Sequence, residues 1–110
     1  MSEADQEPNA LEQANLIRPQ QYILKLFIAG HTTRSVQAIN TIKTLCTTYL
    51  QENYVLEVVD IYLNPDAAEA EGIITLPTLL RKQPLPQRKL IGDLSDEKKL
   101  CIWLGLETYN

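Results

Sequence analysis

Sulfur, histidine and long apolar runs are scarce in this sequence, and each scarcity closes off a class of function. The two cysteines, Cys46 and Cys101, are far apart, so no Cys-x-x-Cys pair exists for a helix N-terminus to activate as a dithiol. Each sits among apolar residues at helical spacing, and the expectation is two buried small hydrophobes. One alternative stays open: a thiol oxidoreductase relic working through Cys46 or Cys101. A single histidine, His31, cannot build a zinc site with two distant cysteines and no obvious fourth ligand; no metal and no other cofactor is expected. No apolar run approaches the roughly 18–20 residues of a membrane-spanning helix. The N-terminus lacks a basic stretch followed by an apolar one, and the expectation is a cytoplasmic protein without membrane contact.

Basic excess is missing as well. The formal charge is −4, and residues 1–20 hold most of it: Glu3, Asp5, Glu7 and Glu12 against Arg18 leave −3 there and −1 for the other ninety residues. A nearly neutral body argues against nucleic acid, which calls for a basic footprint. What is present is a chain of 110 residues, 45% hydrophobic, enough for one domain with a real core. Residues 1–20 read as a disordered acidic tail with at most a marginal helix around 10–17, and residues 21–110 as the domain.

Tyr22 to Gly30 is almost continuously apolar, the pattern of a central strand covered on both faces; its one charge, Lys25, is expected near an end or snorkelling. Thr32 or Thr33 caps a first helix, in which Val36, Ile39, Ile42, Leu45, Cys46, Tyr49 and Leu50 recur at helical spacing out to about Gln51. Tyr54 to Tyr62 is a second strand, parallel to the first through a right-handed crossover. Asn64-Pro65-Asp66 starts a short helix that Gly72 ends. Then Thr75-Leu76-Pro77-Thr78-Leu79-Leu80 begins a strand with a proline at its entrance, where proline is tolerated and an X-Pro bond can be cis; Pro77 is the candidate. Pro84 and Pro86 mark a loop, Arg88 to Gly92 a last strand antiparallel to the Thr78 strand, and Ser95 a cap for a final helix whose apolar face holds Leu100, Trp103 and Leu104. Gly105 weakens that helix by roughly 1 kcal/mol. The order βαβαββα is that of a thioredoxin-like domain, and the Pro-Thr segment resembles the cis-proline segment of that fold.

The position where such domains carry their thiols reads His31-Thr32-Thr33-Arg34-Ser35, so neither dithiol nor monothiol chemistry is available there. Ser35 has no candidate base beyond His31 and no third group to orient it, and His31 reads as an exposed loop residue. Arg81, Lys82, Arg88 and Lys89 flank the two-proline loop, either as a solvated rim or as a patch for an acidic partner surface. Asp66, Glu69 and Glu71 complement a helix dipole sooner than they bind a cation. Tyr54 and Tyr62 bracket an exposed-looking strand; structural packing is the first expectation for them, and recognition at a sheet edge, a template for partners, the second.

Tyr22 to Gly30, Thr32, Ser35-Val36, Asp60, Asn64-Pro65, Ala68-Glu69, Pro77-Thr78-Leu79, Pro84-Leu85-Pro86 and Ile91-Gly92-Asp93-Leu94-Ser95-Asp96 together resemble the KaiB family of cyanobacterial clock proteins over residues 22–104. The resemblance implies a non-enzymatic regulator that binds the ATPase ring of a KaiC-type kinase, competes there with a KaiB-like domain of a histidine kinase, and can capture KaiA. It implies two folds: a thioredoxin-like monomer competent for the ring, and an alternative ground state (βαββααβ) that assembles as a tetramer. On that basis Asp66, Glu69, Glu71 and Gly72 are the expected ATPase face, and Lys25 and Glu57 the expected contacts for a second partner. The sequence departs from the family at Glu57, where a lysine used toward KaiA is reversed in charge, at Gly72, at the His31 loop, and at Trp103 and Gly105. The expectation is a divergent paralogue biased toward the thioredoxin-like form. A stress-linked adaptor outside any clock is the alternative within the same resemblance.

Overall fold

The computed structural model describes residues 21–106; the acidic segment 1–20, with its expected disorder, lies outside the described residues. The elements are β1 (Tyr22–Ile28), α1 (Thr33–Leu45) with a π-helical turn at Cys46–Leu50, β2 (Tyr54–Asp60), α2 (Pro65–Ala70), β3 (Thr78–Gln83), β4 (Arg88–Ile91) and α3 (Glu97–Leu104). The four strands form one sheet in the order β2-β1-β3-β4. The β1/β2 pair is parallel, with Leu24 opposite Leu56, and the β1/β3 and β3/β4 pairs are antiparallel. This is the thioredoxin-like arrangement, with the Tyr54 strand at an edge.

The period of two along β1 decides what each face receives. Leu24, Leu26 and Ile28 join Ala38, Ile42 and Leu45 of α1, Cys46 of the π-turn, Leu94 ahead of the last helix, and Leu100 and Leu104 within it in one buried cluster. Phe27 points the other way, into a smaller cluster with Val59, Ala68 and Leu80 beneath α2. Lys25 shares that second face. It lies mid-strand rather than at an end, half-buried, because a carboxylate meets it there.

Local chemistry sets the element ends. Thr32 caps α1, its Oγ1 accepting from the Ser35 N–H at 3.1 Å. The regular helix stops at Leu45, six residues before the expected Gln51. The backbone then widens into the π-turn, closed by the Gln51 N–H on the Cys46 carbonyl at 2.9 Å with Gln51 at φ 56°. Val36, expected on the apolar stripe, is 41% exposed, while Ser35 and Ala38 are buried in its place. Asp96 caps α3 by accepting from the Lys99 N–H at 3.1 Å. Ser95, the expected cap, instead turns its N–H and hydroxyl to Asp93. Gly105 does not weaken α3 from within: it sits past its end at φ 74°, and the Leu106 N–H returns to the Cys101 carbonyl at 3.0 Å. That is a left-handed helix stop, where glycine is the favoured residue.

Candidate docking surface

Two parts of the surface were open to function on sequence grounds, the loop before α1 and the end of α2. At the first, Ala29, Thr32, Thr33, Ser35, Leu76 and Pro77 line a concavity of about 400 Å³. The Leu76–Pro77 bond there is cis, as are Gln83–Pro84 and Leu85–Pro86. The Thr78 hydroxyl donates to the Thr75 carbonyl and closes the turn around Pro77. The concavity holds no thiol. Ser35 is buried and its hydroxyl accepts from Thr32 at 2.9 Å, and no imidazole or carboxylate is among the residues lining the concavity. The two cysteines are elsewhere, both buried and neither in a disulfide. Burial pushes the Cys46 thiol up to about 11, the reverse of what nucleophilic sulfur requires. Among the described residues no cluster of three or more His, Cys, Asp or Glu is placed to hold a metal ion, and no helix is long and apolar enough to cross a membrane.

The end of α2 is built differently. The Glu71 carboxylate takes the ammonium of Lys82 at 2.8 Å and that of Lys25 at 3.5 Å. The next residue, Gly72, offers its carbonyl to Lys89 at 3.4 Å. Lys25 comes from β1, Lys82 from β3 and Lys89 from β4, so three adjacent strands each send one cation to the C-terminal end of α2. Cations are favoured at that end, where backbone carbonyls are left without helical partners. The hydrogen bond from Lys82, then the charges of Lys82 and Lys25, hold the Glu71 carboxyl below the usual glutamate range against the opposing effect of burial.

All six residues expected at partner surfaces lie on this side of the sheet. Lys25, Glu71 and Gly72 are drawn together; Asp66 and Glu69 are exposed on α2, and Glu57 is exposed on β2 directly across from Lys25. The geometry divides their roles: Lys25 and Glu71 are engaged with each other, whereas Asp66, Glu69, Gly72 and Glu57 face solvent. Sequence reasoning missed two apolar neighbours. Leu63 and Ile74, at the two ends of α2, are 84% and 92% exposed, with Tyr62 beside Leu63 at 72%. These large apolar side chains stand in water on both sides of a short helix. A signal existed for Ile74, since of the adjacent pair Ile73-Ile74 only one can turn inward.

The basic hairpin does not present its four cations on one face. Alternation splits it. Lys82 and Lys89 go to the α2 side, while Arg81 and Arg88 go to the α3 side and lie over the Trp103 ring at 5.9 and 5.4 Å from its centre. Arg81 is buried rather than solvated.

A profile of the KaiB domain matches residues 25–106. The circadian clock oscillator protein KaiB of Synechococcus elongatus is 47% identical over 85 residues, covering 77% of this chain and 83% of that protein. The KaiB of Gloeothece citriformis is also 47% identical over 85 residues, covering 77% and 80%. Among solved structures, the N-terminal domain of Synechococcus elongatus SasA superposes with a TM-score of 0.64 at 23% identity, over 80% of this chain and 87% of that domain. Chloroplastic thioredoxin z superposes at 0.66 with 18% identity, over 88% and 86%; at these identities both report the fold. On the matched domain and the identity over most of its length, the chain belongs to the KaiB family.

Proposed function

We propose that this chain is a non-enzymatic, clock-related regulator that docks in its thioredoxin-like form on the ATPase ring of a KaiC-type partner. The observation that carries the reading is the 47% identity to KaiB clock proteins across the folded domain. The loop where a thioredoxin carries its thiols has none, which leaves binding as the use of this scaffold. The docking face is the outer surface of α2: Asp66, Glu69 and Gly72 supply polar contacts, and Tyr62, Leu63 and Ile74 supply apolar area at its rim. Glu71 and Lys25 act from beneath by fixing where α2 ends. A KaiB-like domain of a histidine kinase competes for the same ring, and the SasA domain, which shares this fold, is the kind of competitor expected. Glu57 on the open β2 edge faces any second partner with a negative charge, which disfavours a KaiA-like protein that expects a lysine there.

The reading includes a second conformation. A ground state that rearranges the second half into a tetramer requires two packings within a few kcal/mol, and a ring that binds one of them shifts the population. Trp103, covering apolar area under two guanidinium groups, biases this chain toward the thioredoxin-like form. Light scattering with backbone NMR gives a thioredoxin-like monomer on this account; a tetramer alone, with a rearranged second half, would remove the bias.

The test is retention of the chain by the host's KaiC-type ATPases, with and without nucleotide. Nucleotide-dependent retention that is weakened by Glu69→Lys together with Ile74→Ser is expected. No retention by any KaiC-type ring, or retention indifferent to both substitutions, refutes the docking face.

A further inference from the structure

We propose that Arg81 and Arg88, side by side over Trp103, form a binding site for a carboxylate group. The site lies on the face of the sheet opposite α2 and does not depend on the ring-docking reading.

Four observations converge. Arg81 and Arg88 are direct register partners across the β3/β4 ladder, and like charges directly opposite each other in a sheet repel. Both guanidinium groups lie within cation–π range of one indole, which draws them together but offers no acceptor. Among the described residues neither arginine is in an ion pair: the two lysine bridges belong to Glu71 on the other face. Two acids near the N-terminal end of α3 are engaged there, Asp93 with Ser95 and Asp96 with the Lys99 N–H. Finally, Arg81 is only 7% exposed, and while its Nη2 donates to the Pro86 carbonyl at 2.9 Å, its Nε is shielded from solvent with no partner. Buried charges are ordinarily paired and buried donors ordinarily satisfied. Two converging cations with an unfilled donor between hairpin and helix describe a site awaiting an anion.

The chemistry of that anion follows from the donors. A guanidinium is a planar fork that matches the two oxygens of a carboxylate. Only two cations converge here, because alternation sends Lys82 and Lys89 to the other side, and a chain of net charge −4 offers no extended basic track for a polyanion. The carboxylate comes either from a free small dicarboxylate or from an acidic side chain of a peptide segment.

Trp103 is the only tryptophan, so its fluorescence reports on this site alone. The full chain is titrated with succinate and, separately, with a glutamate-rich peptide, at low and at moderate salt. The proposal expects a saturable change in Trp103 emission with at least one of them. Arg88→Gln should weaken that response at least about tenfold, the scale of a charge-assisted hydrogen bond, and Lys89→Gln should leave it intact. Arg88 is exposed, so Arg88→Gln should fold normally and, if the ring is bound as proposed above, should still be retained by it. A response to the peptide alone assigns the site to a protein segment, a response to succinate alone to a small acid, and both support carboxylate recognition. The proposal fails if neither titrant saturates, if Arg88→Gln responds like the parent chain, if chloride at matched ionic strength gives the same change, or if an oligonucleotide binds there more tightly than either acid.

Discussion

Under α1 and α3 the sheet is sealed by eleven buried residues in one apolar cluster, running from Leu24 and Leu26 to Leu100 and Leu104. Under α2 four residues are buried, Phe27, Val59, Ala68 and Leu80, and charge does the rest, with Lys25, Lys82 and Lys89 gathered around Glu71 and Gly72. The first face resists salt and pH because its cohesion comes from apolar area. The second depends on pairs that solvent, protons and partners all reach. If α2 is the docking helix proposed above, a chain that stays folded while that helix is gripped has reason to be built this unevenly.

Substitutions sharpen that contrast. Leu26→Ala, in the large cluster, should lower stability by about 3 kcal/mol, the range for a leucine deleted from a closed core. Val59→Ala, in the small one, should cost about 1.5 kcal/mol, the area of two methyl groups; urea unfolding of both variants checks the ratio. Equal losses would mean that the faces are packed alike. Gly105→Ala forces a Cβ into a left-handed cap and should cost about 1 kcal/mol.

Smaller still is the effect of Glu71→Gln, below about 1 kcal/mol for partly exposed pairs and shrinking further with added salt. Its signature is in pH. The Glu71 carboxyl is held below its ordinary range in the folded state, chiefly by Lys82, so its contribution is present above that range, near 4.5, and is lost as pH falls through the lowered value. Asp93, held low by Ser95, acts in the same direction. The parent chain should therefore lose stability on acidification more steeply than Glu71→Gln. Parallel pH profiles would mean that the clamp contributes nothing. Least of all should happen at Cys46: with its thiol buried and pushed up to about 11, native labelling should be slow and become fast only on unfolding. Rapid native labelling would reopen thiol chemistry.

Much of this architecture was legible from the residues. The unbroken apolar run from Tyr22 to Gly30 could only be a doubly covered strand. Asn64-Pro65 and Gly72 bracketed α2 because a proline starts and a left-handed glycine ends such a helix. What escaped depended on partners remote in sequence. Lys25 looked misplaced mid-strand because Glu71, which meets it, lies three elements further along the chain. Arg81 looked solvated because nothing local says that Trp103 will lie under it, although Leu79-Leu80-Arg81-Lys82 already requires by alternation that one of the two cations face inward. Asp96 and Ser95 were equally good caps by type, and the choice fell to Asp93, which took the serine. Of the proposed docking face, the exposure of the acids on α2 was readable; that of Leu63 and Ile74 was not, since it depends on how little of the sheet a six-residue helix covers.

Amide hydrogen exchange of the chain, alone and with a nucleotide-loaded KaiC-type ring, tests the central claim most directly. The account predicts new protection concentrated at residues 62–74, around α2, with α1 and α3 unchanged. Protection appearing instead over α1 and α3, or none at residues 62–74 in a bound complex, would contradict it.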